Sequence, residues 1–358
     1  MSVEKTAAGS YRVRIYHRGK QVTSRTFQRK KEAEAWELSQ RALLASGAWT
    51  NPRNGDVPLG EVIQEFLEER RGLVSQHTFD TDEANLRLHV PTAMKRRPLA
   101  SLNRQVLRRF VNELTRTKKY GTAKRIRESL SAVLAYAVQM EYLPHNPITE
   151  VRLERGDGTE DREIRPFSDD EFATMLEAQR SVNRPYADIV EFLRETGLRW
   201  GEMKALRVAD VRSAPFPAVF VSRSKSDGYP EKQTKGRRSR TVPLLGRAAD
   251  IVSARAAGTA PDAFLFRAPG GGELSGPNFT RDVHWAATAG THRLHDLRHT
   301  AATSWLRDGI DVKTISVWLG HSTTQQTVNR YSHWMSSDSD LAAVAKALDA
   351  RRSRTTDR

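Results

Sequence analysis

Between Arg293 and Tyr331 two apolar patterns of helical period stand close together, each closed by a glycine, and this pair limits the folds open to the chain. Leu294, Leu297, Ala301 and Trp305 recur at offsets of three and four, which predicts a helix with an inward stripe. His295, Arg298 and His299 fall on a neighbouring face of that helix. Gly309 is a helix stop, and Asp311 suits the N-cap of the next helix. Val312, Ile315, Trp318 and Leu319 mark the second helix, which ends at Gly320 with His321 directly behind it. Tyr331 follows in a polar, Thr-rich segment with little apolar content of its own. Two short helices thus gather imidazoles, a guanidinium and a phenol.

That set suits attack on a phosphodiester. A phenol with a pKa of about 10 is protonated at neutral pH and needs a base to become a nucleophile. Histidine titrates in the range that task requires. Charge building on phosphate oxygens calls for fixed cations, and the planar fork of arginine matches them. Two readings compete. His292, His295 and His299 could ligate a metal, but Arg298 would then sit among the ligands and no Glu accompanies the His pair. A DNA-binding regulator without catalysis would not require every reactive type at once.

The order of these residues resembles a known family. His295-Asp-Leu-Arg298-His299, then Leu319-Gly320-His321, then Arg330-Tyr331-Ser-His resembles the C-terminal signature of the tyrosine recombinases, the phage-integrase family. Far upstream, Thr196-Gly197-Leu198-Arg199-Trp200-Gly201-Glu202-Met203 resembles the family's box around its first arginine. The resemblance is tight over the C-terminal half and looser before it.

Composition agrees with a polyanionic partner. The 358 residues carry a formal charge of +15, and there is no Cys to form disulfides or thiolate metal sites. No apolar run reaches the roughly 18 residues a bilayer span needs. The N-terminus lacks a signal peptide's apolar core. The expected setting is the cytoplasm of a bacterial host, in association with the nucleoid.

The length predicts more than one domain. Residues 1–31 hold Lys5, Arg12, Arg14, Arg18, Lys20, Arg25, Arg29, Lys30 and Lys31 against the single acid Glu4. Tyr11, Val13 and Ile15 alternate with Arg12, Arg14 and Tyr16, the period of a half-exposed strand. A turn at Arg18-Gly19-Lys20, a second strand over 22–27 and a helix over 30–46 follow. This places the basic residues on the outer face of a small sheet, and β-ribbons of that kind enter the major groove. The module resembles the arm-site-binding domain of many phage integrases. Residues 50–58 read as a linker. From 59 to 152 the patterns are helical, with Val62, Ile63, Phe66 and Leu67, then Val106 to Leu114, then Ile126 to Ala137. Arg116, Lys118, Lys119, Lys124, Arg125 and Arg127 crowd a helix start, where cations oppose the macrodipole, so phosphate contact explains them better than local stability. This part resembles the family's core-binding domain. Residues 154–165 read as a flexible linker. A capping box at Ser168 and Glu171 opens the last domain, in which strands are expected over 218–221 and 241–243.

The expected fold is therefore multidomain α+β. It comprises a small three-stranded sheet plus helix over 1–50, an all-α domain over 57–153, and a mostly helical domain with a small antiparallel sheet over 165–358. In that last domain the leaving 5′ oxygen needs a proton, which a lysine on a mobile turn can supply. In the family this Lys precedes the strand ending Val-Pro-Leu; Lys235 fits best, and Lys232 and Lys225 are rivals.

The resemblance implies a site-specific recombinase of a phage or mobile element, acting through a 3′-phosphotyrosine and a Holliday junction without metal or cofactor. It gives Tyr331 the nucleophile's role. Arg199 and Arg298 hold the non-bridging oxygens, His295 takes the tyrosyl proton, Lys235 protonates the leaving group and His321 hydrogen-bonds the phosphate. Glu202 and His299 stand behind them. Expected partners are double-stranded DNA at core-type and arm-type sites, three further copies in a tetramer, a host DNA-bending protein and an excision factor. A final helix over 336–348 is a candidate assembly element. The added N-terminal module favours this reading over a two-domain chromosomal or plasmid resolution enzyme.

Overall fold

A computed structural model describes residues 3–17, 20–45, 55–155, 164–233 and 239–334. Arg18, Lys235 and the tail over 336–348 lie outside the described residues, as does the side chain of Lys20. The chain divides into two compact units, residues 1–161 and 162–358.

The first unit holds two separate apolar clusters. One lies under an antiparallel sheet of β1 (Val3–Lys5), β2 (Tyr11–His17) and β3 (Lys20–Phe27), covered by α1 (Lys30–Ala45). Val13, Ile15 and Ala33 are its buried centre, and Phe27 packs on Trp36 with ring centroids 5.6 Å apart. Too short to show a period, β1 was not legible from sequence; it pairs Val3 with Val13 and Glu4 with Arg12. The register corrects one expectation. Paired residues of an antiparallel ladder share a face, and Arg25 pairs with the buried Val13. Arg25 therefore lies on the helix side of the sheet, its guanidinium 5.2 Å from the centre of the Phe27 ring. Arg12 and Arg14 keep the outer face, where Arg14 Nη1 meets Glu4 Oε2 at 3.2 Å.

The second cluster belongs to α2 (Leu59–Arg70), α3 (Gln76–His89), α4 (Thr92–Lys95), α5 (Arg104–Thr117) and α6 (Tyr120–Gln139). Helix α6 is central because Ala123, Ile126, Leu130, Val133, Leu134 and Ala137 all lie on its buried face. Helix α3 buries only Phe79 and Leu86 among its apolar residues, too few for a clear period, and Ser75 caps its N-terminus. Lys118 and Lys119 are the C-cap of α5 and the N-cap of α6. With Lys124 and Arg125 they are exposed. Arg127 departs from that group. It is half-buried, and its fork donates to the carbonyls of Ile148 and Val151 at 2.8–3.2 Å. Its charge closes the end of the helical domain on itself, a role that requires no phosphate.

The second unit is built on α7 (Asp169–Thr196), which opens with the expected capping box. Next come α8 (Trp200–Lys204), β4 (Val211–Arg212), β5 (Ala218–Val221), β6 (Arg223–Ser224), β7 (Lys232–Gln233), β8 (Arg240–Pro243) and α9 (Ala248–Ala256). Helices α10 (Gly276–Asp282), α11 (Trp285–Thr288), α12 (Asp296–Arg307), α13 (Val312–Leu319) and α14 (Thr324–Tyr331) complete it. The sheet β4-β5-β8 is antiparallel, with Val221 opposite Arg240 and Ala218 opposite Pro243. Strands β6 and β7 form a separate pair. Leu297, Ala301 and Trp305 are buried, as the apolar stripe predicts. Helix α14 was not expected. It buries only Thr327 and Tyr331, one turn apart, which is too little apolar signal to announce a helix. Among the described residues no helix is long and apolar enough to cross a membrane.

Candidate active site

Four chain segments meet around Arg298. The first is the turn after α7. Gly197 caps that helix at φ +59°, and a Cβ there would stand 3.0 Å from the Trp305 ring and 3.2 Å from Ala301 and Leu319. Both the left-handed backbone and the close packing require glycine. The turn delivers Arg199 as the N-cap of α8, and Glu202 reaches back to it. Arg199 Nη1 donates to Glu202 Oε1 at 2.8 Å and its amide to Oε2 at 3.0 Å. The Arg199 side chain remains 42% exposed, so this guanidinium faces solvent from a fixed base.

Arg298 itself is 2% exposed. Its Nη1 donates to the Gly197 carbonyl at 2.8 Å and its Nη2 to the Leu319 carbonyl. One side chain therefore ties the turn that bears Arg199 to the turn that bears His321. Burial, and then the charge of Arg199, lower its proton affinity from the usual guanidinium value. Guanidinium nevertheless stays charged in proteins.

The third segment is the Gly320 turn. Gly320 ends α13 at φ +64°, and the His321 amide closes it on Ser316 O at 3.0 Å. His321 Nδ1 lies 2.8 Å from Thr327 Oγ1. Burial and the charges of Arg298, Arg199, Arg330 and Arg240 pull its pKa down to about 3.

Tyr331, the last residue of α14, is fully buried in a cluster with Ala301, Ala302, Trp305, Leu306, Ile315 and Leu319. Its hydroxyl lies 2.8 Å from His299 Nδ1. Burial raises the phenol to about 12, against the opposing pull of Arg298, Arg330 and Arg199. Burial, then His295 and Arg330, lower His299 to about 4. The phenol is protonated and the imidazole neutral, and they share one hydrogen bond whose direction the His299 tautomer sets. The sequence expectation put His295 on the phenol at cleavage and His299 behind the site; in the free protein it is His299 that stands against the hydroxyl. His295 stands at the N-cap of α12, exposed, its ring centroid 5.1 Å from that of His299. Spacing could not separate the two, because both share one helical face. Burial and the charges of Arg298, Arg199 and Arg330 lower His295 to about 4, an effect that solvent moderates at an exposed ring.

The rival lysines differ in setting. Lys225 Nζ is paired with Glu273 and lies 5.1 Å from the centre of the Phe264 ring. Lys232 is on β7, beside the residues that hold Lys235. His292 stacks on Phe167 with centroids 3.8 Å apart, and its Nδ1 is 3.1 Å from Arg165 O. Among the described residues no three His, Cys, Asp or Glu gather to hold a metal ion. The sequence marked Arg240 only as the end of a basic hairpin from Lys232, with no role of its own. Arg240 is 7% exposed and grips Glu202 with both terminal nitrogens, at 3.1 and 2.8 Å.

The lowered imidazoles carry a pH consequence. Their folded pKa values lie below the ordinary 6.5, so the unfolded chain binds more protons between about pH 6.5 and 3. The stability they support is fully present above about pH 6.5 and is lost as pH falls through that window. His299→Gln keeps an acceptor for the phenol and removes one titration, so the acid limb of Tm against pH should flatten. An unchanged slope would refute the placement of a neutral His299.

Comparison with known proteins follows the same residues. The Phage integrase family profile matches residues 167–337, and the Phage integrase central domain profile matches 59–154. The integrase of Mycobacterium phage L5 is 24% identical over 344 residues, covering 90% of this chain and 89% of its own length. A XerC-like tyrosine recombinase of Caldanaerobacter subterraneus is 25% identical, covering 85% and 86%. The fold is similar to that of the Tn1549 transposon integrase in complex with a circular intermediate DNA, with a TM-score of 0.67 at 20% identity, covering 81% of this chain and 99% of that one. It is also similar to that of a lambda integrase dimer bound to a COC′ core site, with a TM-score of 0.62 at 18% identity, covering 94% and 95%. The two profiles embrace both the helical domain and every described residue around Arg298, and the chain accordingly belongs to the phage integrase family of site-specific tyrosine recombinases.

Proposed function

We propose that this chain integrates the DNA of a phage or mobile element by cutting and rejoining strands through Tyr331. The observation that carries the reading is the convergence of Arg199, Arg298, His321, His299 and Tyr331 from separate segments onto one small region of the second unit. In the cleavage step the Tyr331 oxygen bonds to phosphorus and the bond from phosphorus to the 5′ oxygen breaks. The phenolic proton passes to an imidazole. His299 holds the phenol in the free protein, and the exposed His295 is the proposed acceptor once the phenol has reached the phosphate. Arg199 offers its open fork to a non-bridging oxygen. Arg298 and His321 add donors where negative charge rises in the transition state. Lys235 protonates the leaving 5′ oxygen. The reverse of this step reseals the strand, so no external energy source enters.

A phenol buried this deeply cannot reach DNA where it stands. Cleavage therefore requires α14 to shift toward Arg199 when DNA docks, and His299 releases the hydroxyl as it goes. A lambda integrase tetramer bound to a Holliday junction supports four copies acting on two duplexes. A duplex nicked beside the cleavage point tests the reading. The short product strand diffuses away and traps the adduct. Wild type should give a covalent complex whose DNA-bearing peptide contains Tyr331; an adduct at any other residue would reject the assignment.

The N-terminal sheet, with Arg12 and Arg14 outward, is the proposed arm-site module. The exposed Lys118, Lys119, Lys124 and Arg125 belong to the proposed core-site domain. Removing residues 1–50 should weaken binding to arm sites at least tenfold and leave cleavage of core sites within a few-fold of wild type. Equal loss on both substrates in a gel-shift and cleavage comparison would remove the arm-site assignment.

A further inference from the structure

We propose that Arg240 is a positioning residue for strand cleavage, setting the guanidinium of Arg199 through Glu202. The proposal rests on the active-site reading above. Arg240 sits at the start of β8, with its side chain 5% exposed. All three of its guanidinium nitrogens are engaged. Nη1 and Nη2 form a fork on Glu202 at 3.1 and 2.8 Å, and Nε donates to Trp318 O at 2.6 Å. Glu202 Oε1 is shared, since it also accepts Arg199 Nη1 at 2.8 Å. One buried carboxylate thus spans two arginines. Burial alone would push Glu202 up, but Arg240, seconded by Arg199, holds it at about 2.

This arrangement does something for Arg199 that Glu202 alone cannot. Two cations on one carboxylate leave the pair with a net positive charge, so the open edge of Arg199 stays attractive to a phosphate. The fork also fixes the tilt of the carboxylate, and with it the direction in which Arg199 points. On its other side Arg240 approaches the Gly320 turn so closely that a Cβ on Gly320 would stand 2.8 Å from Nη1. Arg240 therefore joins β8, α8 and the α13 terminus, the elements that frame Arg199 and His321. Lysine cannot replace it, because an ammonium has no planar fork with a third donor at right spacing.

The test measures single-turnover adduct formation on the nicked core site at saturating protein, with DNA affinity and melting temperature measured alongside. The proteins are wild type, Arg240→Met, Arg240→Lys, Arg199→Ala and the double variant Arg199→Ala/Arg240→Met. A misplacement of about 1 Å costs on the order of 100-fold in rate. Arg240→Met and Arg240→Lys should each cleave about 100-fold more slowly, with DNA affinity within about twofold of wild type. The double variant should be no slower than Arg199→Ala, because Arg240 acts only through its partner. A multiplied loss in the double variant would overturn the proposal, as would full-rate cleavage by Arg240→Lys. Should both single variants unfold at the assay temperature, the role is structural and the proposal is again wrong. Wild type forming no adduct would instead bring down the active-site reading, and this inference with it.

Discussion

Tyr331→Phe should abolish covalent attachment to DNA and leave DNA binding within about twofold of wild type. The phenyl ring keeps its place among Ala301, Trp305, Ile315 and Leu319, so the core loses no volume. What disappears is one hydroxyl and its hydrogen bond to His299. That loss costs about 1 kcal/mol of stability. Catalysis falls on a different scale, because removing a nucleophile costs on the order of 10⁶ in rate. On the nicked core substrate the adduct band should vanish while the gel-shifted complex persists. An adduct formed by the Phe variant would show that another residue attacks.

Substitution of Arg298 should damage both stability and cleavage, and the two losses have separable causes. The buried guanidinium satisfies the carbonyls of Gly197 and Leu319. Arg298→Met fills similar space and leaves both acceptors unpaired, a penalty of about 1–3 kcal/mol for each buried group. The melting temperature of the catalytic unit should fall by about 4–24 °C, since each kcal/mol moves a domain of that size by about 2–4 °C. Removing a preorganised donor to a developing oxyanion should slow adduct formation by about 10²–10³. Arg298→Lys restores a charge but bonds only one of the two carbonyls, because an ammonium cannot span them. It should recover part of the stability and little of the rate. Wild-type cleavage by the Lys variant would reject a bidentate role for Arg298.

Parts of both units were legible residue by residue. Ser168 and Glu171 form a capping box because that pairing satisfies two amides within one turn. Asp311 caps α13, and Gly320 ends it, for equally local reasons. The apolar stripes of α2, α5 and α6 needed only their own spacing to announce a buried face. Elements with little apolar content were harder. Helix α3 buries two large side chains and α14 buries one, so neither carries a period strong enough to read. Strand β1 exists because β2 offers it an edge.

Sequence alone determined which reactive side chains the chain possesses, the helices that carry most of them, and the order that marks the family. Those are short-range facts, set by offsets of three and four and by glycines that admit left-handed backbone. The tertiary structure alone decided which imidazole meets the phenol, and it chose His299 over its neighbour His295. It also decided that Arg127 closes a helical domain, that Arg25 turns toward α1, and that Arg240 clasps Glu202 across an offset of 38 residues. The register of the ladder sets Arg25; one physical reason covers the phenol, Arg127 and Arg240. A buried polar group must find its partner wherever packing places one, and packing brings together residues whose separation along the chain carries no sign of the meeting.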